Sequence, residues 1–153
     1  MSQVYLTFHI SEEIFGINVL KVLEVLQNRT ITEVPKSPNY IIGIINFRGE
    51  VVPVIDTRIR FNLPIRADND NFVIAVLDLL KNGEPFRIGA IVDKVRDVIT
   101  IKDSDIKPVP PMDSKFSKEF LKGVVRFEEK FILLIDIDKV FNDSNPIENV
   151  NKS

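Results

Sequence analysis

Residues 40–56 read YIIGIINFRGEVVPVID, and the reading of this stretch decides the fold. Two apolar runs rich in Ile and Val, Ile41–Phe47 and Val51–Ile55, flank the polar turn Arg48-Gly49-Glu50. Runs of this length and composition, split by a glycine turn, form a β-hairpin. Gly49 supplies the positive φ that a tight reversal needs. Pro53 has no amide hydrogen to donate, which assigns the second strand to a sheet edge or a bulge. Thr57–Phe61 then reads as one short helical turn after Asp56.

The pattern returns further along the chain. Residues 120–136, FLKGVVRFEEKFILLID, lie under 40–56 without a gap: Gly123 under Gly43, Phe127 under Phe47, Ile135-Asp136 under Ile55-Asp56. Residues 87–99, RIGAIVDKVRDVI, lie under the stretch from Phe15 to Leu26, FGINVLKVLEVL. Gly89 then falls under Gly16, Lys94 under Lys21, Val95 under Val22, Asp97 under Glu24 and Val98 under Val25. Between these blocks Ile106, Val109 and Pro110 match Ile31, Val34 and Pro35. Three blocks in one order describe two copies of a module of about five short strands. A module that small buries too little core to be very stable alone, so the two copies are expected to pack as pseudo-twofold partners. Short strands with glycine turns make small Greek-key-like or SH3-like barrels, an all-β fold with short helical turns.

The remaining segments fit that plan. Val4–Ile10 alternates apolar residues with the period of a half-buried strand. Ile14–Val25 reads as strand, given its β-branched content and early Gly16, with an irregular piece near Leu20–Lys21. Pro35–Pro38 is a stiff loop, Phe72–Leu80 a buried strand, and Asn82-Gly83-Glu84 a turn. The expected division is a single domain over residues 1–141 with a polar tail, 142–153. Subdomain 1 covers about 14–66. Subdomain 2 takes about 4–13 plus 72–141, with the boundary in the polar loop Arg66–Asn71 and Val4–Ile10 crossing over to complete it.

Composition narrows the function. The 153 residues are 44% hydrophobic and 27% charged, a globular balance with room for one domain or two small subdomains. The absence of cysteine excludes disulfides, thiolate metal sites and a cysteine nucleophile. The lone histidine, His9, cannot build a multi-histidine metal site and reads as a surface or edge residue. A net charge of −2 without a basic block disfavours nucleic acid. No stretch approaches the roughly 20 apolar residues that span a bilayer. The expected location is the cytoplasm.

The repeat separates fold from function. Positions alike in both copies are those the fold requires; positions that differ are free for function. Asp56 and Asp136 match, and each reads as an N-cap for the short helix that follows. Glu24 and Asp97 match as well, with no nucleophile, metal set or phosphate loop beside them. Gly16, Gly43, Gly89 and Gly123 are scattered and form no phosphate cradle. An enzyme is therefore not expected. Arg48 breaks the symmetry, because its partner is Glu128, and Arg126 stands opposite Asn46. Arg48 reads either as a local salt bridge to Glu50 or Asp56, or as a guanidinium that shapes or touches a partner groove. Leu20, opposite Asp93, reads either as an exposed apolar contact or as an ordinary core leucine.

These same residues carry a resemblance over nearly the whole chain. The succession FGINVLKVLEV, ITEVPKSPNYIIGIINFRGEVVPVID, IGAIVDKVRDV and GVVRFEEKFILLIDIDKV resembles the CheW family of bacterial chemotaxis coupling proteins. Asn46-Phe47-Arg48-Gly49 resembles the family's Asn-Leu-Arg-Gly signature, with Phe47 in place of the usual Leu, and Thr57 stands where Leu commonly follows the Asp. The resemblance implies two five-stranded SH3-like β-barrel subdomains and a cofactor-free, non-enzymatic adaptor at membrane-associated receptor arrays. Its implied partners are the cytoplasmic tip of a chemoreceptor coiled coil, held in the cleft between subdomains, and the regulatory domain of a histidine kinase, which can associate subdomain one to subdomain two. The matching receptor-facing positions are Val22, Glu24, Arg48 and Val73; Ile17 and Leu20 match the apolar face of subdomain one toward the kinase. Two alternatives stand beside the adaptor. One is a fragment of a kinase regulatory domain or of a receiver-linked coupling protein. The other is a small hydrolase using Asp56, Glu24 or Asp97.

Overall fold

A computed structural model describes residues 1–27, 29–64, 71–110 and 120–140. Most of the Arg66–Asn71 loop and the 142–153 tail lie outside the described residues. The first half of the chain runs β1 (Ser2–Ile10), β2 (Glu13–Asn18), a 3₁₀ turn (Val19–Lys21), β3 (Val22–Leu26), β4 (Ile41–Phe47), β5 (Glu50–Asp56) and α1 (Thr57–Arg60). The second runs β6 (Val73–Lys81), β7 (Glu84–Val92), β8 (Lys94–Lys102), a 3₁₀ turn (Asp103–Asp105), β9 (Leu121–Phe127), β10 (Lys130–Ile135) and α2 (Ile137–Val140). Both halves thus carry five strands and a closing short helix in the same order, the pattern that the repeat required; the 3₁₀ turn precedes the third strand in the first half and follows it in the second.

The strands form two five-stranded sheets. Barrel one has the order β3-β6-β7-β5-β4, and barrel two has β8-β1-β2-β10-β9. Replacing each strand of barrel one by its repeat counterpart (β3 by β8, β6 by β1 and so on) reproduces the order of barrel two. The two halves therefore exchange hairpins. Each barrel holds three strands of one half and the N-terminal hairpin of the other. Sheet membership thus cuts the chain differently from the expected division: β2 leaves with β1, while β6 and β7 join barrel one. The reason is that each exchanged hairpin is apolar on both faces. In β6, Ile74 and Val76 point into barrel one while Ala75, Leu77 and Leu79 face the shared core between the barrels. In β1, Tyr5 lines barrel two while Leu6, Phe8 and Ile10 face the shared core. A hairpin that must be covered on both faces fits between the two barrels.

The repeated glycines mark close approaches. In the parallel ladders, Val54 lies beside Gly89 and Leu134 beside Gly16, at equivalent places. A Cβ at Gly16 would lie 2.9 Å from Leu134 Cδ2, and one at Gly89 would lie 2.8 Å from Ile74 Cγ2. Gly43 and Gly123 let the segments Ile31–Thr32 and Ile106–Lys107 cross over β4 and β9, where Thr32 bridges Ile44 and Lys107 bridges Val124.

Two local expectations change. β5 lies inside its sheet, between β7 and β4. The proline is tolerated because Pro53 pairs with Ile44 of β4, whereas the ladder to β7 covers only Val54, Ile55 and Asp56. His9 is half-buried on β1, a central strand between β8 and β2, rather than at an edge or on the open surface.

Candidate functional site

The β4–β5 reversal is a two-residue turn in which Arg48 (φ 53°) and Gly49 (φ 81°) both take positive φ. This is the geometry that matches strand twist in tight hairpins, and it costs an arginine more than a glycine. The Gly49 amide donates to Asn46 Oδ1 at 3.0 Å, which holds the turn. The turn carries Arg48 across the open end of barrel one to the far edge strand, β3. There Nη2 donates to Glu24 Oε1 at 2.9 Å, and the guanidinium lies 4.7 Å from the centre of the Phe47 ring. The partner is Glu24, neither Glu50 nor Asp56. Glu50 instead accepts from Arg87 at 2.9 Å, and Asp56 caps α1 through the Arg58 amide, also at 2.9 Å. Both side chains of the Arg48–Glu24 pair are exposed, at 61% and 41%, so the pair adds less than about 1 kcal/mol to stability.

Val22 and Val73 stand on the β3–β6 face that is turned toward the shared core. Val22 is opposite Leu77, and both valines are half-buried against the shared core. Val22 and Val73 share one face of β3–β6, whereas Glu24 stands opposite Val76, whose side chain lines barrel one, across the bulge between Val22 and Glu24. Leu20 stands at the 3₁₀ turn, Val19–Lys21, where the chain crosses from barrel two to barrel one. It is 85% exposed, which removes the core-leucine reading. Ile17 is corrected: at 2% exposed it packs in the shared core, as expected for an alternating strand residue between two barrels, and it offers no surface.

The second barrel reverses the charges. At the β9–β10 turn Glu128 and Glu129 hold the positive φ values, 51° and 67°. Arg96 of β8 reaches toward Glu128 at 3.9 Å and Asp97 at 3.4 Å. Strand and turn are still linked, with the arginine now on the strand. Arg96 replaces Leu23 of the first copy, and that departure was visible in the repeat without being recognised as the counterpart of Arg48. Beside it, His9 is held below its ordinary pKa, first by burial and then by Lys94, Arg96 and Lys130, with Asp93 opposing. A shallow groove lined by Pro108, Pro110, Val124, Phe131 and Leu133 opens on the same barrel, and Phe131 is 64% exposed.

Two SH3-like barrels of exchanged hairpins, in which the candidate carboxylates serve a helix cap and ion pairs, are the frame of a scaffold. Comparison with known proteins gives the family. The CheW-like domain matches residues 4–145, and the chain belongs to that family. It is 32% identical over 136 residues to the chemotaxis protein CheW of Rhizobium meliloti, covering 89% of this chain and 85% of the relative. It is 32% identical over 155 residues to CheW of Klebsiella aerogenes, covering 100% and 91%. The crystal structure of the scaffolding protein TtCheW from Thermoanaerobacter tengcongensis superposes with a TM-score of 0.80 at 33% identity, over 92% of this chain and 93% of that one. The protein is a chemotaxis scaffold and not an enzyme. The three carboxylates of the hydrolase reading already have structural partners: Asp56 the α1 cap, Glu24 the Arg48 pair, Asp97 the Arg96 contact. Among the described residues no helix is long and apolar enough to cross a membrane.

Proposed function

We propose that this scaffold couples the cytoplasmic tip of a chemoreceptor to the regulatory domain of a histidine kinase. The observation that carries the proposal is on barrel one: Val22 and Val73, half-buried on one face of β3–β6, with the exposed Arg48–Glu24 pair at the β3 bulge that follows Val22. A short apolar strip with a polar pair at its rim suits the apolar stripe of a coiled-coil helix. Arg48 spans two edge strands and so holds the rim in place. The kinase domain docks at Leu20, whose exposure on a 3₁₀ turn is otherwise unfavourable. The assembly belongs at receptor arrays on the cytoplasmic side of the membrane.

The test is a pair of titrations, one with a coiled-coil receptor-tip fragment and one with the kinase regulatory domain. Arg48→Glu is expected to weaken the receptor fragment at least tenfold and leave the kinase domain unchanged. Leu20→Asp is expected to do the reverse. Normal affinity for both partners in both folded variants would overturn the reading.

A further inference from the structure

The pseudo-twofold relation between the barrels extends to their outer faces. In barrel one Val22 and Val25 of β3 stand opposite Leu77 and Ala75 of β6, and Val73 opens β6. In barrel two the same places hold Val95 and Val98 of β8, opposite Phe8 and Leu6, together with Val4 of β1. All three positions are valine in both barrels. Those of barrel one are half-buried against the shared core. Those of barrel two are open: Val4 is 37% exposed, Val95 36% and Val98 59%.

Residues opposite one another in an antiparallel pair project to one face, so Val95, Val98 and Val4 form a strip across β8 and β1. A shallow groove with Ser2, Gln3 and Val4 on its wall lies at the Val4 end of the strip. Isolated exposed valines need no explanation, but a contiguous strip does. The rim repeats as well. In barrel one Arg48 pairs with Glu24 at the bulge after Val22, and in barrel two Arg96 contacts Asp97 and Glu128 at the bulge between Val95 and Val98. At the far end of the strip Lys102 pairs in register with Ser2; it is exposed and has no ion pair among the described residues. Val95 and Val98 are about 10 Å apart along the strand. That is close to two turns of an α-helix, so one apolar stripe with contacts at i and i+7 reaches both.

We infer that barrel two carries a second helix-docking face, formed by Val4, Val95 and Val98. It takes an amphipathic helix of the same class as the receptor helix proposed for barrel one, with an acidic residue at the end that meets Lys102. The class of helix rests on the function proposed above; the strip does not.

The test is calorimetric titration of the full chain with a coiled-coil receptor-tip fragment, with amide chemical shifts of β1 and β8 followed in parallel. Two sites are expected. Val98→Asp should remove one, with the shifts on β1 and β8, and leave the other; Arg48→Glu should do the opposite. Val4→Asp serves as a second strip variant, and circular dichroism checks folding. A single site that is lost in Arg48→Glu and indifferent to both strip variants would overturn the inference and leave the proposed function standing. A single site sensitive only to the strip variants would support the inference and displace the receptor site from barrel one. If the strip variants change only kinase-domain binding or self-association, the strip serves another partner and the inference is wrong.

Discussion

Arg48 is a residue whose worth to stability is small and whose position is specific. Its pair with Glu24 is solvent-exposed, so Arg48→Glu should lower stability by less than about 1 kcal/mol, read by chemical denaturation. Arg48→Lys keeps the charge and loses the planar fork, so receptor-fragment affinity should fall about tenfold, roughly 1.4 kcal/mol, with the melting curve nearly unchanged. His9 makes a prediction in pH. Burial and the cations Lys94, Arg96 and Lys130 depress its pKa in the folded protein. The unfolded chain therefore binds the extra proton more readily, and stability falls as pH drops from the ordinary histidine value through the depressed one. Denaturation midpoints across that window should slope downward toward acid, and His9→Gln should flatten the slope. An unchanged slope in the variant would assign the effect to other groups. The glycines act through space. A Cβ at Gly43 would meet the Thr32 backbone and Ile31 Cγ2, and one at Gly123 would lie 2.8 Å from the Lys107 carbonyl oxygen. Backbone cannot yield as a side chain does, so Gly43→Ala and Gly123→Ala should each cost about 2–3 kcal/mol by denaturation.

At the scale of elements, the chain twice crosses between barrels, and each crossing is tied to the short helix that follows a hairpin. Asp93, at the β7–β8 crossing, accepts from Arg58 of α1 at both carboxylate oxygens, 3.2 and 2.5 Å, and from the Ser11 amide at 2.8 Å. At the β2–β3 crossing, Lys21 meets Asp138 of α2 through one contact of 2.9 Å. The signs are reversed between the copies, and so is the strength. The Arg58–Asp93 pair is 14% and 18% exposed and forked; the Lys21–Asp138 pair is 28% and 38% exposed. Asp93→Ala strands a mostly buried guanidinium and should cost about 2–4 kcal/mol. Lys21→Met should cost less than about 1 kcal/mol. Hydrogen exchange should show the same ranking, with the amides around Leu20 opening more readily than those around Asp93. Equal protection at the two crossings would contradict the geometry.

For the whole molecule, the pseudo-twofold relation brings Arg60 into a special place. Its guanidinium lies 5.3 Å from the Tyr40 ring and 4.7 Å from the Phe120 ring, two residues that match in the repeat. Nη2 donates to the carbonyl of Val140, the counterpart of Arg60 itself, at 2.6 Å. One side chain thus ties both halves near the axis. Arg60→Ala should cost about 2–3 kcal/mol, since it removes a charge-assisted hydrogen bond and two cation–π contacts. The hairpin exchange makes the loss felt by both barrels. Unfolding of the variant, followed by tyrosine fluorescence and far-ultraviolet circular dichroism, should remain a single transition. Separate transitions would mean that the barrels are stable independently.

The repeat, the hairpins and the class of fold were present in the sequence because they follow from short-range periodicity and turn chemistry. Asp56 as a cap, the irregular Val19–Lys21 and the reversal at Arg48-Gly49 are local outcomes of that kind. Which strands share a barrel was not decided locally. β1 and β2 are apolar on both faces, and only the packing of two barrels against one core determines on whose sheet they lie. The same holds for the partner of Arg48. A turn residue can reach its neighbours Glu50 and Asp56 in any hairpin, but the closure of barrel one brings Glu24 across from another strand. Ile17 and Leu20 are three residues apart and equally apolar. The sequence made both available for contact; the tertiary structure buried one between the barrels and left the other on the crossing, because a strand side chain beneath a second barrel is covered and a 3₁₀ turn between barrels is not.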